Sequence, residues 1–426
     1  MPTLNKIGTA LSRSHHTPAA DPALRRLRIA LTVFFAVDGF LFAGWVVRIP
    51  AIKAHVGASA GQLGLALLGV SAGGVATMVL TGRLCRAFGS ERVTVGTGVL
   101  LSLSIALPPR AHTAPALGLV LLVFGVAYGG LNVAMNSVAV DLVAALRRPV
   151  MSGFHAAYSL GGLLGAGIGG LLAPHLSPGT HLLLLTPVGL LAVAWAGRVL
   201  LANPLGGPAA RGRSRPAGAP EGAAAGAATR ARVPGATLLV AVFGLIAACT
   251  AYGEGALAEW GPLHIQQDLH GGPGVAAAGY ACVALAMAIG RLSGTALLER
   301  FGQTRALVLG GLTACAGMLV GALAPYTPLV MAGFAVTGFG LANLFPTAIA
   351  RAGELTGPSG VAAASTLGYG GMLLGPPSIG FLTDAFGLPT ALTTVAALAA
   401  LAALIAFTTR GGGAAARRRS AAHVRV

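Results

Sequence analysis

Apolar runs of bilayer-crossing length recur twelve times along the chain, and nothing else in the sequence narrows the fold as far. A spanning helix needs about 20 predominantly apolar residues. Runs with few charges fall at roughly 29–49, 60–81, 93–109, 116–141, 152–173, 182–202, 236–263, 275–297, 306–324, 328–350, 360–382 and 389–409. Inside hydrocarbon a backbone has no water to bond, so such runs fold as helices. The sequence therefore predicts an all-α integral membrane protein with twelve transmembrane helices. The runs group six and six, which predicts two pseudo-symmetric six-helix bundles over 29–202 and 235–409.

Between the groups, Asn203 to Pro234 is rich in Pro, Gly, Ala and Arg, with Glu221 as its single acid. Such a stretch buries too little apolar surface to fold, so 203–234 is expected to be a disordered linker. The leader 1–28 and the basic tail 410–426, which carries Arg417, Arg418 and Arg419, read the same way. The leader is too long and polar for the charged region of a signal peptide, so the first helix is expected to be an uncleaved anchor.

Charge sets the orientation. Charged residues are 9% of the chain against about 25% in soluble proteins, and the formal net charge is +17. Of the 28 Lys and Arg, all but Arg48, Lys53, Arg110 and Arg291 fall in segments on the side of the two termini. Basic loops stay cytoplasmic, which places both termini inside a bacterial inner membrane against anionic lipid headgroups. A monomer is expected. No basic, aromatic-interleaved soluble domain exists to bind nucleic acid. Cys85, Cys249, Cys282 and Cys315 form no CxxC pair, so neither a disulfide framework nor a metal site is indicated, and no cofactor is expected. No Gly-rich phosphate loop ending in Gly-Lys-Ser/Thr occurs, which argues against a nucleotide-driven pump.

The halves carry matching marks. Gly129 precedes Asn132 by three residues in the fourth run, and Gly340 precedes Asn343 likewise in the tenth. Gly161 and Gly165 in the fifth run match Gly371 and Gly375 in the eleventh, and Trp45 matches Trp260. Duplicated bundles place binding sites at the midplane between repeats.

Two loops bear a degenerate signature of Gly, three residues, acid, base, one residue, Gly, then bases. The first keeps Gly82, Gly89 and Arg92, with Arg86 where the acid belongs and Ala87 where the first base belongs. The second keeps Glu299, Arg300, Gly302 and Arg305. These loops resemble the signature loop of the major facilitator superfamily. The stretches from Gly130 to Asn136 and from Arg148 to Gly162 look like a bacterial branch of that superfamily near the fucose–proton symporters. The resemblance covers roughly residues 30 to 409 and implies the twelve-helix fold and solute transport. It also implies that Asp141, paired with a loop base such as Arg147, Arg148 or Arg83, latches the outward-open state; a plain surface ion pair is the alternative. The Gly-Pro signature of antiporters is missing from Gly161 to Gly170.

A charge within a bilayer is costly, at least about 2.5–3.5 kcal/mol at a helix centre. Asp38 lies mid-run on a face with Phe34, Phe42 and Trp45, and reads as a proton-coupling carboxylate, as an anchor for substrate hydroxyls or amines, or as a structural partner of a neighbouring helix. Glu254 lies on the seventh run, the counterpart of the first, so Asp38 and Glu254 are expected to face one cavity; Glu259 reads as an interfacial or gate group. Asn132, Asn136 and Asn343 suit hydroxyl binding or helix ties. His155 suits a proton relay or a structural hydrogen bond, with Tyr158 a donor at its level. Arg291 suits snorkelling or ion pairing. The leading expectation is proton-coupled transport of a small polar solute by alternating access. Proton-driven efflux of an amphipathic compound is the alternative, and a membrane enzyme on lipid-linked substrates the remote one.

Overall fold

The computed structural model describes residues 22–146, 150–205 and 236–409. The described residues form fifteen α-helices and one short 3-10 turn, with no strand among them. The first bundle holds α1 (Pro22–Val46), α2 (Ile49–Val56), α3 (Ala60–Phe88), α4 (Ser90–Ser104), α5 (Ala114–Leu146), α6 (Met151–Leu172) and α7 (Pro178–Ala202). The second holds α8 (Ala236–Gln267), α9 (Pro273–Leu292), α10 (Gly294–Phe301), α11 (Gln303–Leu323), α12 (Thr327–Leu341), α13 (Leu344–Thr356), α14 (Pro358–Phe386) and α15 (Leu388–Thr408). Most of the leader, the linker from 206, the tail from 410 and the bases Arg147 and Arg148 lie outside the described residues.

Every expected run falls on a helix, and ten helical stretches are long and apolar enough to cross a membrane. α6 and α14 are not among the ten. Seven glycines in α6, and six glycines with three prolines in α14, dilute their apolarity. α1 begins at Pro22, inside the expected leader, and carries Arg25, Arg26 and Arg28 on its opening turns. The eighth and tenth runs each divide in two, at Ser293 and at Asn343.

The outer surface is built for lipid. Leu171 is 76% exposed, Leu191 72% and Leu238 69%, while Phe34, Trp45, Trp260 and Phe334 are fully buried between helices. Soluble monomers rarely expose apolar area on this scale. The chain is an all-α, multi-pass membrane protein.

The two bundles repeat one packing scheme. A methyl group on Gly161 of α6 would collide with the Ala36 carbonyl of α1, and one on Gly371 of α14 would collide with the Ala248 carbonyl of α8. Small residues let these helix backbones touch. Gly89 (φ 91°) joins α3 directly to α4, and Gly302 (φ 74°) joins α10 to α11, so both signature loops turn on a backbone conformation that a side chain resists. The Gly-x-x-Asn match is out of register. Gly129 packs on Gly74 of α3, whereas Gly340 packs on Gly310 and Ala314 of α11, a helix in a different place in its bundle. Gly338, against Val283 of α9, holds the position that Gly125 holds against Val70 of α3.

The bundles meet along two antiparallel seams. On one, Gly61, Gly64 and Ser71 of α3 lie against Asp384, Pro376 and Met372 of α14; on the other, Gly170 of α6 lies against Gly274 and Ala277 of α9. These positions belong to the half of the molecule distant from Pro22 and Thr408, here called the far end; the opposite half is the tail end.

Candidate functional site

The site begins with Asp38. α1 carries it between Phe34 and Phe42, and Gly39 beside it lets α6 approach to the Tyr158 carbonyl. Asp38 is 0% exposed, and neither carboxylate oxygen has a hydrogen-bond partner among the described residues. It lies within electrostatic range of Tyr128 of α5 and Tyr158 of α6, whose hydroxyls share a hydrogen bond of 2.8 Å. Phe42 stacks on Tyr128 at 5.0 Å between ring centroids, and Tyr128 stacks in turn on Phe124 at 6.3 Å. An enclosed carboxylate therefore sits behind a wall of aromatic rings that ends in two phenols.

The second bundle supplies the facing wall. Tyr280 of α9 lies within electrostatic range of both tyrosines and Arg291 of the same helix within range of Tyr128, and Arg291 donates to Glu254 of α8 at 3.1 Å. This ion pair is open, with side chains 37% and 29% exposed. His155 is exposed toward the tail end and meets the Phe35 ring edge-on at 5.4 Å, with Phe35 stacked on Phe154. The space between the walls thus opens toward the tail end, and the seams close it at the far end.

The register that carries Ala36 onto Ala248 carries Asp38 onto Thr250 and Phe42 onto Glu254. Thr250 is buried and donates to its own helix at Ile246, so the counterpart of the enclosed acid is a satisfied hydroxyl. Glu254 sits about one helical turn farther toward the far end than a true counterpart would, and it is part-exposed.

The other expected residues distribute as follows. Asn136 donates its amide to the Asn132 carbonyl at 2.8 Å, one turn back on the same helix. Asn343 precedes α13 without a side-chain cap bond, donates instead to the Gly290 carbonyl of α9 at 2.7 Å and lines an apolar groove among α10, α11 and α12, within the second bundle. Trp45 is buried 6.3 Å from the Phe124 ring. Asp141 is exposed and lies in electrostatic range of Glu91, while Glu91 accepts from the Leu205 amide. Arg86, Arg92, Glu299, Arg300 and Arg305 are exposed at the tail end, with Gly82 on α3 nearby. Glu259 is buried with Oε2 unpartnered among the described residues. Sequence reasoning missed Tyr128 and Tyr280, which read there as ordinary members of apolar runs. Their one signal was a phenol at mid-run, where a buried hydroxyl needs a partner.

A sequence model described as Major Facilitator Superfamily matches residues 29–295 and 243–424. The chain belongs to that superfamily. It is 30% identical over 392 residues to an uncharacterised MFS-type transporter of Yersinia pestis, covering 91% of this chain and 97% of the relative. Among solved structures it is similar to a bacterial homologue of the human lysosomal transporter Spinster, in an inward-facing and unoccupied conformation (TM-score 0.73, 16% identity, 91% of this chain and 97% of that one). It is also similar to a D-xylose–proton symporter (TM-score 0.67, 14% identity, 89% and 97%). At these identities the structures establish a shared fold. This MFS protein is a secondary transporter of small molecules rather than a membrane enzyme.

Proposed function

We propose that this MFS protein couples proton movement to the transport of a small polar solute, with Asp38 as the proton carrier. The observation that supports this most directly is the enclosed, unpartnered carboxylate beside the Tyr128–Tyr158 pair. An isolated ionised carboxylate in a low-dielectric interior is strongly disfavoured, so a buried one holds a proton or finds a partner. In the arrangement open to the tail end, Asp38 is neutral. Rocking of the bundles about the glycine-lined seams moves it between the two sides, so that a proton taken up on one side is released on the other as the solute crosses.

The solute binds between the Phe42–Tyr128 face and Tyr280, with the phenols offering hydroxyl-to-hydroxyl bonds and Arg291 with Glu254 lining the approach. The basic tail end is cytoplasmic by the charge rule, so both termini are inside and the membrane is the bacterial inner membrane. Among the similar folds, one is described as a nucleoside transporter and another as a D-xylose–proton symporter, and the sequence looks like the fucose–proton side of the superfamily. A sugar-like solute fits these comparisons. The aromatic run Phe42–Tyr128–Phe124 favours a second reading, proton-driven efflux of an amphipathic compound.

Proteoliposomes loaded against a panel of sugars, nucleosides and amphipathic cations, under an imposed pH gradient, separate these readings. Gradient-driven flux that Asp38→Asn abolishes, with solute exchange retained, is the expected result. Gradient-driven flux unchanged in Asp38→Asn removes Asp38 as the carrier.

A further inference from the structure

The far end of the α3–α14 seam is fastened by one carboxylate. The opening turn of α3 has backbone N–H groups that its own helix cannot satisfy. Two are met locally: the Ser59 amide donates to Gln62 Oε1 at 3.1 Å, and the Gln62 amide donates to Ser59 Oγ at 3.2 Å, a reciprocal cap. The next two are met from the other bundle. The Ala60 amide donates to Asp384 Oδ1 at 2.9 Å and the Gly61 amide donates to Asp384 Oδ2 at 2.8 Å. Ser59 Oγ adds a third bond to Oδ2 at 2.8 Å. A negative charge at a helix start also meets the positive end of the helix dipole.

The surroundings reinforce the same sign across the seam. Lys53 of α2, in the first bundle, lies in electrostatic range of Asp384 and of Asp268, both in the second. Asp268 in turn holds His264 Nδ1 at 2.8 Å. Gly380, one turn before Asp384, packs directly on Ala60 and Gly61, so the carboxylate is aimed by backbone contact as well as by charge. At the tail end of the same helix α3 the signature loop presents Arg86 where the resembled family places an acid. The seam therefore has an acid clamp at its far end and a base at the matching place of its tail end.

We propose that Asp384 is the gating residue of transport: its carboxylate on the start of α3 holds the far-end gate shut, and its release is required for the chain to open to that side. The latch sets the resting preference for the tail-open arrangement. It rests on the alternating-access reading above.

Distances between spin-label pairs test it. Cysteines replacing Ala54 and Tyr326 report the far end, and cysteines replacing Phe88 and Phe301 report the tail end, all four being exposed. The native Cys85, Cys249, Cys282 and Cys315 are first changed to Ala. The expected result in the full chain is one short far-end distance in the parent. Asp384→Ala adds a longer far-end population and a shorter tail-end one together, raising the far-open share roughly tenfold. Asp384→Asn, which keeps an acceptor oxygen, shifts it less, and Ser59→Ala, which leaves the carboxylate in place, shifts it about threefold. Reciprocal change at the two ends distinguishes rocking from loss of structure, and the milder Ser59→Ala carries the test should Asp384→Ala unfold. No shift in either variant, while Asp38→Asn does change the distances, overturns the latch alone. No shift in any of the three overturns the latch together with the alternating-access reading beneath it.

Discussion

Asp38 and Glu254 lie on the opening helices of two bundles built to one scheme, yet they meet opposite surroundings. Asp38 is closed in, with no partner among the described residues, while Glu254 is part-open and bound to Arg291 at 3.1 Å. The packing register explains the difference, because Asp38 corresponds to Thr250 and Glu254 corresponds to Phe42. Repetition of the backbone thus left these two positions with different chemistry: Asp38 is an acid with no partner to neutralise it, and Glu254 is an acid paired with a neighbouring guanidinium. Among the described residues Asp38 is the acid with both carboxylate oxygens buried and unpartnered, whereas Glu259, nearer the far end of α8, leaves one oxygen so.

The largest effect that sharpens this contrast is expected from Asp38→Asn. Gradient-driven flux in proteoliposomes falls by more than about tenfold, since the proposed proton carrier is gone while the cavity shape remains. If the acids are interchangeable, Glu254→Gln produces the same loss and the contrast fails. Next comes the packing that holds α6 to α1. Gly161→Ala drives a methyl into the Ala36 carbonyl and destabilises by about 1–3 kcal/mol, read as a lower temperature of unfolding in detergent. Gly153→Ala on the same helix meets open space and is neutral or stabilising by up to about 1 kcal/mol. Equal effects at the two glycines would contradict the close α1–α6 approach that encloses Asp38.

Tyr158→Phe removes the 2.8 Å bond to Tyr128 and is expected to lower flux about two- to tenfold while leaving its dependence on the pH gradient intact. Loss of the gradient dependence instead would make the phenols part of the proton route. The smallest effect is expected at Glu254→Gln. A part-exposed ion pair contributes about 0–1 kcal/mol, so flux changes by less than about fivefold and stability hardly at all.

Much of the fold was legible in the sequence because lipid imposes a coarse rule that single residues report well. Twelve apolar runs fell on helices, and Gly89 and Gly302 marked the loops where positive φ is required. Boundaries were less legible. α1 continues back through Arg25, Arg26 and Arg28 to Pro22, because a helix does not end where its lipid contact ends. The site was legible only in its charges. Asp38, Glu254 and Arg291 stood out as ions in apolar runs, whereas Tyr128 and Tyr280 are amphipathic and blend into such runs. Asp384 gave no local signal at all, since the helix start it caps lies 325 residues earlier in the chain. The asparagines illustrate the converse: their mid-run position drew notice, yet Asn136 and Asn343 spend their amides on helix carbonyls at 2.8 and 2.7 Å.

The proton itself is the most direct thing to follow. With a solute that the vesicles transport, external pH in a lightly buffered suspension is recorded as solute is added on one side, for the parent chain and for Asp38→Asn. Coupling through Asp38 predicts a solute-dependent pH change in the parent and none in Asp38→Asn, with solute exchange still measurable in both. An equal pH change in the two proteins would contradict it.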